Sequence, residues 1–218
     1  MAAKPKVGRE KDPDLAKIRA LSPDLVIANI EENRRDVVEQ LRAVRVPVWV
    51  TFPRTVRDGI QLIRELGDVT GARAEATALA LPLERRYAET ARLTASRPPV
   101  RVFCPIWRAP YMTINRDTYV HDMLASCGGA NVFADRPERY PTITLEEVAA
   151  AAPEVILLPD EPYRFRRVHL PDFEPFGDIP AIRTGRVHFL DGKLLSWYGA
   201  RIGEALERVP TLLAPTDR

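Results

Sequence analysis

The sequence has few of the residues that build metal sites and disulfide frameworks. Its 218 residues include two cysteines, Cys104 and Cys127, and three histidines, His121, His169 and His188. A disulfide between the cysteines is not expected, because one lies near a strand end and the other ends a helix. Three scattered histidines do not supply the three or four converging ligands of a zinc or manganese site. We therefore expect two free thiols, no metal site and no cofactor.

Charge and hydropathy argue against two further classes of partner. The chain has 32 basic and 30 acidic residues, a net charge of +2, so it lacks the basic excess of nucleic-acid-binding proteins. No apolar run approaches the ~20 residues that a membrane-spanning helix requires. The first residues, MAAKPKVGREKDPD, lack the apolar core of a signal peptide. As written, the sequence predicts a cytoplasmic protein that does not bind nucleic acid, and we expect a monomer.

Motifs of several enzyme classes are also missing. The sequence contains no G-x-G-x-x-G, no G-x-x-x-x-G-K-[ST], no G-x-S-x-G and no H-E-x-x-H. Acidic pairs occur at Glu31-Glu32 and Glu146-Glu147, but both are expected at helix N-termini, where capping accounts for them. No nucleophile or general base stands out, so the sequence gives no support to catalysis.

The sequence does contain an alternation of short apolar runs and helical patterns. Apolar runs at residues 24–29 and 46–52 are separated by a helical pattern, and the alternation restarts with runs at residues 100–106, 154–158 and 187–190. Short, nearly continuous apolar runs are typical of parallel strands covered on both faces. The sequence therefore predicts an α/β fold with parallel sheets.

A long helical segment, residues 71–97, lies between the two groups of strands. Thr70 is the candidate N-cap, Arg97-Pro98 ends the segment, and Pro82 inside it predicts a kink or a later start. We interpret the chain as two α/β lobes, residues 1–70 and 98–218, joined by a backbone helix over residues 71–97. The strands of the two lobes are then expected in separate sheets. A single domain with one long surface helix is the alternative.

Four segments of the chain resemble one known family. They are Leu-x-Pro-Asp-Leu-Val-Ile at 21–27, Arg-Val-Phe at 101–103, Cys-Gly-Gly-Ala-Asn-Val-Phe at 127–133 and Pro-x-x-x-Leu-Glu-Glu-Val at 141–148. With these segments the chain resembles the substrate-binding proteins of ABC importers for cobalamin and iron–siderophore chelates. The resemblance covers about residues 7–213. It implies two lobes on a rigid helix, a cobalamin, haem or ferric siderophore ligand in the cleft between them, and an ABC importer permease as partner.

The chain departs from this family in several ways. It starts at what corresponds to the segment after the family's first strand and helix, so we expect an incomplete first lobe. The family is periplasmic or cell-surface, whereas this sequence shows no signal peptide. Cobalamin binders have aromatic residues at first-lobe strand ends, where this chain has Asn29 and Val50. In those relatives the cysteine corresponding to Cys127 pairs near the C-terminus, where this chain offers no cysteine.

Aromatic residues and arginines are concentrated where the predicted strands end. Ligands of open α/β sheets bind beyond the carboxyl ends of the strands, so these loops are the candidate site. Aromatic rings give flat apolar contact, and arginines bind carboxylates or phosphates through paired hydrogen bonds. Such loops suit a large, planar, partly anionic ligand such as a chelate or tetrapyrrole. The candidate ligand-binding residues are Glu31, Glu32, Asn33, Phe52, Arg54, Trp107, Arg108, Tyr111, Tyr163, Arg164, Trp197 and Tyr198.

The same residues also permit structural roles and other functions. Tyr163 and Arg164 could belong to a solvated loop, and Trp197 and Tyr198 could only pack beneath a helix. We expect Trp107 and Arg108 to face residues 31–33 and 52–54 across the cleft. Beside the chelate-binding hypothesis, two alternatives stay open: a two-lobed α/β enzyme acting on an anionic small molecule, and a cytoplasmic remnant of the family that binds nothing. For haem, Tyr111 or a histidine could ligate the iron.

Overall fold

The chain divides at Phe52–Pro53 into two compact units in the computed structural model, which describes residues 4–214. The first unit contains the two strands predicted before the long helix, and the second contains that helix and the strands that follow it. Both sheets are parallel, so the predicted α/β class is confirmed. Residues 53–70, which the prediction assigns to the first lobe, belong to the second unit. The three-part division at 1–70, 71–97 and 98–218 stays a prediction.

The first unit is a small parallel α/β segment. Its elements are α1 (Leu15–Ala20), β1 (Val26–Asn29), α2 (Arg35–Ala43) and β2 (Val48–Thr51). β1 and β2 form a two-stranded parallel sheet in which Val26 lies opposite Val48. Ile18, Val37 and Leu41 are the buried residues of its core, and these two valines pack against them.

The loop after β1 differs from the sequence prediction. Glu31 and Glu32 do not open a helix, because α2 begins at Arg35. Asn29 Oδ1 accepts the Glu31 backbone N–H at 2.9 Å, and Asn33 Oδ1 accepts the Asn29 backbone N–H at 2.7 Å. Asparagine side chains that bind nearby backbone groups favour turns over helix. The acidic pair therefore lies in a turn at the carboxyl end of β1, and helix capping does not account for it.

The second unit is built on a four-stranded parallel sheet with the order β4-β3-β5-β6. Its strands are β3 (Val100–Phe103), β4 (Gly129–Asn131), β5 (Val155–Pro159) and β6 (Val187–Leu190). The apolar runs predicted at residues 100–106, 154–158 and 187–190 all contribute to this sheet, and none of them pairs with β1 or β2. The prediction of two separate sheets is therefore confirmed.

Helices cover both faces of this sheet. They are α3 (Val56–Thr70), α4 (Arg73–Thr94), α5 (Tyr119–Ser126), α6 (Leu145–Ala151), α7 (Pro180–Arg183), α8 (Lys193–Ser196) and α9 (Arg201–Leu213), with a 3-10 segment over Arg167–Phe176. Along β5, Val155 and Leu157 pack with one core cluster, while Ile156 and Leu158 pack with the other. Because successive side chains of a strand point to opposite faces, a strand buried on both faces is apolar at every position.

Helix α4 is continuous over Arg73–Thr94, with Pro82 in its interior. Pro82 has no N–H for the carbonyl of Ala78, but both residues are exposed, so that carbonyl is open to water. Thr70 is not the N-cap of α4, because it is the last residue of α3. Gly71 follows it at φ +74°, a left-handed conformation that ends α3.

The cysteines are buried and unbonded. Cys104 and Cys127 are both free in the structure, which confirms the predicted pair of thiols. Burial raises the pKa of each thiol to about 12. Neither sulfur is therefore a reactive thiolate at neutral pH.

Candidate ligand-binding site

Five aromatic side chains form one group at the carboxyl ends of the neighbouring strands β3 and β5. Trp107 and Tyr163 meet edge to face, with ring centroids 5.5 Å apart. Tyr163 in turn packs on Phe165 at 4.9 Å, and Tyr111 lies stacked on Phe165 at 6.3 Å and edge-on to Phe173 at 6.0 Å. Trp107 is 45% exposed, whereas Phe165 and Phe173 are buried. We call these five residues the aromatic cluster.

A short turn after β3 presents Trp107 and Tyr111. The Ile106 N–H donates to the Met112 carbonyl at 2.8 Å, and the Met112 N–H donates to the Trp107 carbonyl at 3.2 Å. The Tyr111 carbonyl also accepts the Ile143 N–H at 2.9 Å. These bonds fix both ends of the turn, which holds Tyr111 inward and leaves Trp107 at the surface.

Asp172, in the 3-10 segment, ties this turn to the chain after β5. Arg108 donates to its carboxylate twice, from Nε at 2.6 Å and from Nη2 at 2.9 Å. Tyr111 donates its hydroxyl to the same carboxylate at 2.6 Å. We call Arg108, Tyr111 and Asp172 the Asp172 network. Charge-assisted bidentate pairs of this kind are short and directional, so they fix the spacing of the segments that they join.

The electrostatics of the Asp172 network follow from these bonds. The hydrogen bonds from Arg108 hold the pKa of the Asp172 carboxyl below its usual value. Burial, followed by the bond to Asp172, raises the pKa of the Tyr111 hydroxyl. Tyr111 is therefore a neutral phenol that donates to a carboxylate, and not a phenolate ready to ligate ferric iron. Arg108 is neutralised within the protein rather than left open for a ligand anion.

Tyr163 is also held by a neighbour in the same loop. The Arg166 backbone N–H donates to His169 Nδ1 at 3.0 Å, and His169 Nε2 lies 3.4 Å from the Tyr163 hydroxyl oxygen. Because Nδ1 accepts a hydrogen bond, the ring proton of neutral His169 lies on Nε2 and points to Tyr163. The hydroxyl proton of Tyr163 is then free to be donated to another group.

A second aromatic contact joins the chain after β5 to the chain after β6. Trp197, 49% exposed, donates its indole N–H to Glu161 Oε1 at 2.7 Å. Lys193 Nζ lies 5.7 Å from the centre of the Trp197 ring. Gly192 permits the approach, since a Cβ there would lie 2.4 Å from the Glu161 carbonyl oxygen. Trp197 thus belongs to the same end of the sheet as the aromatic cluster.

The remaining predicted residues of the second unit are distributed differently. Arg54 pairs with Asp117 at 2.6 Å. Tyr198 is half-buried and packs edge-on to Tyr119 at 5.3 Å, against the core cluster that contains Tyr119. Arg164 is exposed, and within residues 4–214 it has no ion pair. The structure therefore brings together Trp107, Arg108, Tyr111 and Tyr163, and leaves Arg54 and Tyr198 outside the aromatic cluster.

The predicted residues of the first unit lie at the carboxyl ends of β1 and β2. Glu31, Glu32 and Asn33 form the turn after β1, where Lys11 donates to the Glu31 carbonyl and lies 3.7 Å from the Glu32 carboxylate. Phe52 is half-buried and follows β2 directly. These positions agree with the strand-end rule. That they face Trp107 across a cleft stays a prediction.

Several residues of the site were not selected from the sequence. Asp172, Phe173 and His169 lie beyond β5 in a segment that reads as an irregular loop. One usable signal is the acidic Asp172 beside aromatic Phe173 in an arginine-rich segment, which suggests an internal ion pair. Arg108 and Asp172 are 64 positions apart, so no local pattern identifies the partner.

Aromatic side chains beyond the carboxyl ends of a parallel sheet are typical of ligand-binding α/β proteins. The sequence profile of one such class, the periplasmic binding proteins, matches residues 1–194, and the chain belongs to this family. In residues 4–214, no helix has the length and apolarity needed to cross a membrane.

Named relatives are vitamin B12- and heme-binding proteins. The chain is 28% identical over 145 residues to the vitamin B12-binding protein of Photorhabdus laumondii, an alignment that covers 66% of this chain and 53% of the relative. The chain thus spans about half the length of the curated relatives it matches first.

Solved structures share the fold over almost the whole chain. The periplasmic vitamin B12 binding protein BtuF of Vibrio cholerae superposes with a TM-score of 0.82 at 23% identity, covering 95% of this chain and 80% of that one. The periplasmic heme-binding protein BhuT, in complex with two hemes, gives a TM-score of 0.81 at 26% identity, with coverage of 96% and 83%. This similarity confirms the predicted two-lobe binding-protein fold.

Proposed function

We propose that this chain binds a metal chelate of the cobalamin, haem or ferric siderophore class and presents it to the permease of an ABC importer. The aromatic cluster carries this proposal, because its outer end leaves Trp107 45% exposed beside Tyr163. Flat rings at the strand ends of an α/β sheet suit a large planar ligand. The names of the relatives, which bind vitamin B12 and heme, support the same ligand class.

The arrangement of the cluster supports binding on physical grounds. β3 and β5 are adjacent, and two members of the cluster follow β3 while three follow β5, so the two loops form one aromatic surface. Phe165 and Phe173 are buried beneath this surface and support it. A ligand that covers ~100 Å² of such a surface gains about 2.5 kcal/mol. A few further contacts of the same kind bring the affinity into the micromolar range.

Binding without catalysis is part of the proposal. Two of the three candidate arginines, Arg54 and Arg108, already pair with Asp117 and Asp172, so they are not open to the anionic substrate of an enzyme. Among residues 4–214, no group of three or more His, Cys, Asp or Glu side chains could hold a metal ion. The relatives are named as binding proteins. We therefore favour a receptor over a two-lobed enzyme and over a remnant that binds nothing.

Family membership suggests the remaining parts of the proposal. The partner is a permease, the location is the periplasm or cell surface of the family, and the protein acts as a monomer without nucleic acid. Glu31, Glu32, Asn33 and Phe52 are proposed to complete the binding surface. Their support is their position at the carboxyl ends of parallel strands.

Titration calorimetry with cyanocobalamin, haemin and a ferric siderophore tests this function. We expect saturable one-to-one binding of at least one of them, with a Kd of about 1 μM or tighter. Metal-free protoporphyrin and metal-free siderophore are the matched controls for recognition of the chelate. If the folded chain binds none of the three chelates above background, the receptor function is wrong.

A further inference from the structure

Asp172, which was not a candidate residue in the sequence, is the shared acceptor of two side chains from another loop. It accepts three hydrogen bonds, two from Arg108 and one from Tyr111, between 2.6 and 2.9 Å. The Arg108 and Asp172 side chains are 33% and 22% exposed, so the pair is partly shielded from water. The two donors belong to the turn after β3, whereas Asp172 belongs to the segment after β5.

The two donors, Arg108 and Tyr111, lie close to the two ends of the turn. Arg108 directly follows Trp107, and Tyr111 directly precedes Met112, whose backbone closes the turn. Asp172 therefore restrains the exposed tryptophan from the residue beside it. The ring partner of Trp107 is Tyr163, which lies on the same side of the link as Asp172, in the chain after β5. A bond between the two loops consequently sets the spacing of the two rings.

We infer that Asp172 is a positioning residue, which holds Trp107 against Tyr163 in the geometry that receives the flat face of the ligand. Arg108 then binds Asp172 and does not contact anionic groups of the ligand. That the pair of rings receives a ligand rests on the proposed binding function. That Asp172 holds Trp107 against Tyr163 concerns the ligand-free protein and can be tested without a ligand. Preorganised rings lose little freedom on binding, which is how such a device increases affinity.

The opposite hypothesis makes a prediction of opposite sign. If Arg108 contacted an anionic ligand directly, Asp172 would compete for it, and Asp172→Asn would release the guanidinium and strengthen binding of haemin. If Asp172 positions the turn, Asp172→Asn and Arg108→Ala both weaken binding. The weakening then applies to uncharged cyanocobalamin as well as to dianionic haemin, because the position of Trp107 matters to both.

A double-mutant cycle on the full chain distinguishes the two roles. We expect Asp172→Asn and Arg108→Ala each to raise the Kd of whichever probe binds by about tenfold, since each removes the charge pair that holds the turn. The double variant should be no weaker than the worse single variant, within about threefold, because both changes break one network. Tighter haemin binding by Asp172→Asn would overturn the inference. If both probes bind the unmodified chain, losses confined to haemin would overturn it as well.

Ligand-free measurements test the inference even if neither probe binds. With Trp49 and Trp197 replaced by Phe, Trp107 is the sole tryptophan, and Asp172→Asn should increase its quenching by acrylamide at least about twofold as the turn loosens. The same variant should let Tyr111 ionise at lower pH, because the carboxylate beside its hydroxyl is gone. Asp135→Asn, which breaks an exposed pair with Arg116, is the matched control. Unchanged Trp107 quenching in Asp172→Asn would refute positioning, whereas failed binding with increased quenching would count only against the proposed function.

Discussion

Trp197 donates its indole N–H to a carboxylate oxygen of Glu161 at 2.7 Å, although the two residues are 36 positions apart in the sequence. The bond joins the chain after β5 to the chain after β6, and Lys193 lies over the same indole ring. An exposed tryptophan is thereby held in one orientation at the rim of the candidate site.

Loss of this carboxylate should release Trp197. In a variant that keeps Trp197 as the sole tryptophan, Glu161→Ala should increase acrylamide quenching of the indole. The free energy of unfolding should fall by less than about 1 kcal/mol, because both partners are partly exposed. Glu138→Ala, an exposed carboxylate on another loop, is the control. Equal quenching before and after Glu161→Ala would show that the hydrogen bond does not orient the ring.

Trp107→Ala should weaken chelate binding by about thirtyfold, or roughly 2 kcal/mol, because it removes the exposed ring of the aromatic cluster. Calorimetry measures this without relying on tryptophan fluorescence. The matched control is Phe189→Ala, since Phe189 is a similarly exposed aromatic residue, at 39%, on the edge strand β6. If the chain binds a chelate and Trp107→Ala leaves the affinity unchanged, the family assignment stands but Trp107 is not part of the binding site.

Gly192→Ala should destabilise the second unit by about 1 to 3 kcal/mol. A Cβ at this position would lie 2.4 Å from the Glu161 carbonyl oxygen and 2.7 Å from the Glu161 nitrogen, both of which are backbone atoms with little room to move. Gly177→Ala is the control, because a Cβ there meets nothing within 4 Å and its φ of −58° suits alanine. Urea unfolding of the two variants measures the difference, and equal midpoints would contradict the close approach.

Arg186→Met should reduce the free energy of unfolding by about 2 kcal/mol. The buried Arg186 donates from Nη2 to the carbonyls of Leu213, at 3.0 Å, and Ala214, at 2.8 Å, at the end of α9. Methionine keeps the apolar stem and leaves both carbonyls without this donor. Arg183→Met, at an exposed position of α7, should change stability by less than about 0.5 kcal/mol. A similar effect of both changes would argue against a capping role.

Both thiols should be inert in the folded protein and reactive once it unfolds. Burial raises the pKa of Cys104 and Cys127 from 9.0 to about 12, so folding favours the neutral thiols. This stabilisation is fully present below pH 9 and is lost as the pH rises towards 12. Titration with a thiol reagent should give two thiols under denaturing, non-reducing conditions. Fewer than two would indicate a bond that the structure lacks.

Local patterns in the sequence predicted most helices and strands, whereas the arrangement of the candidate site depends on side chains that are far apart in the sequence. The capping boxes at Thr55 and Thr144 involve partners three residues away, and the apolar runs of the strands are continuous, so both can be read directly. The role of Arg108 depends on Asp172, 64 residues later, and no local pattern indicates that pair. The prediction that Glu31 and Glu32 open a helix was wrong because side-chain hydrogen bonds to the backbone decide the conformation there. There, two asparagine side chains compete with the helix for the backbone donors.

The strand order has a consequence for the dynamics of the site. β3 and β5 are the inner strands of the sheet, each hydrogen-bonded on both sides, while β4 and β6 are the edges. Amide protons of inner strands exchange with solvent only when the sheet opens, which is rare. We therefore expect the segments that carry Trp107 and Tyr163 to follow directly on the slowest-exchanging strands of this unit. The ligand that we propose would therefore meet an aromatic surface anchored to the inner strands, and its release would require no opening of those strands.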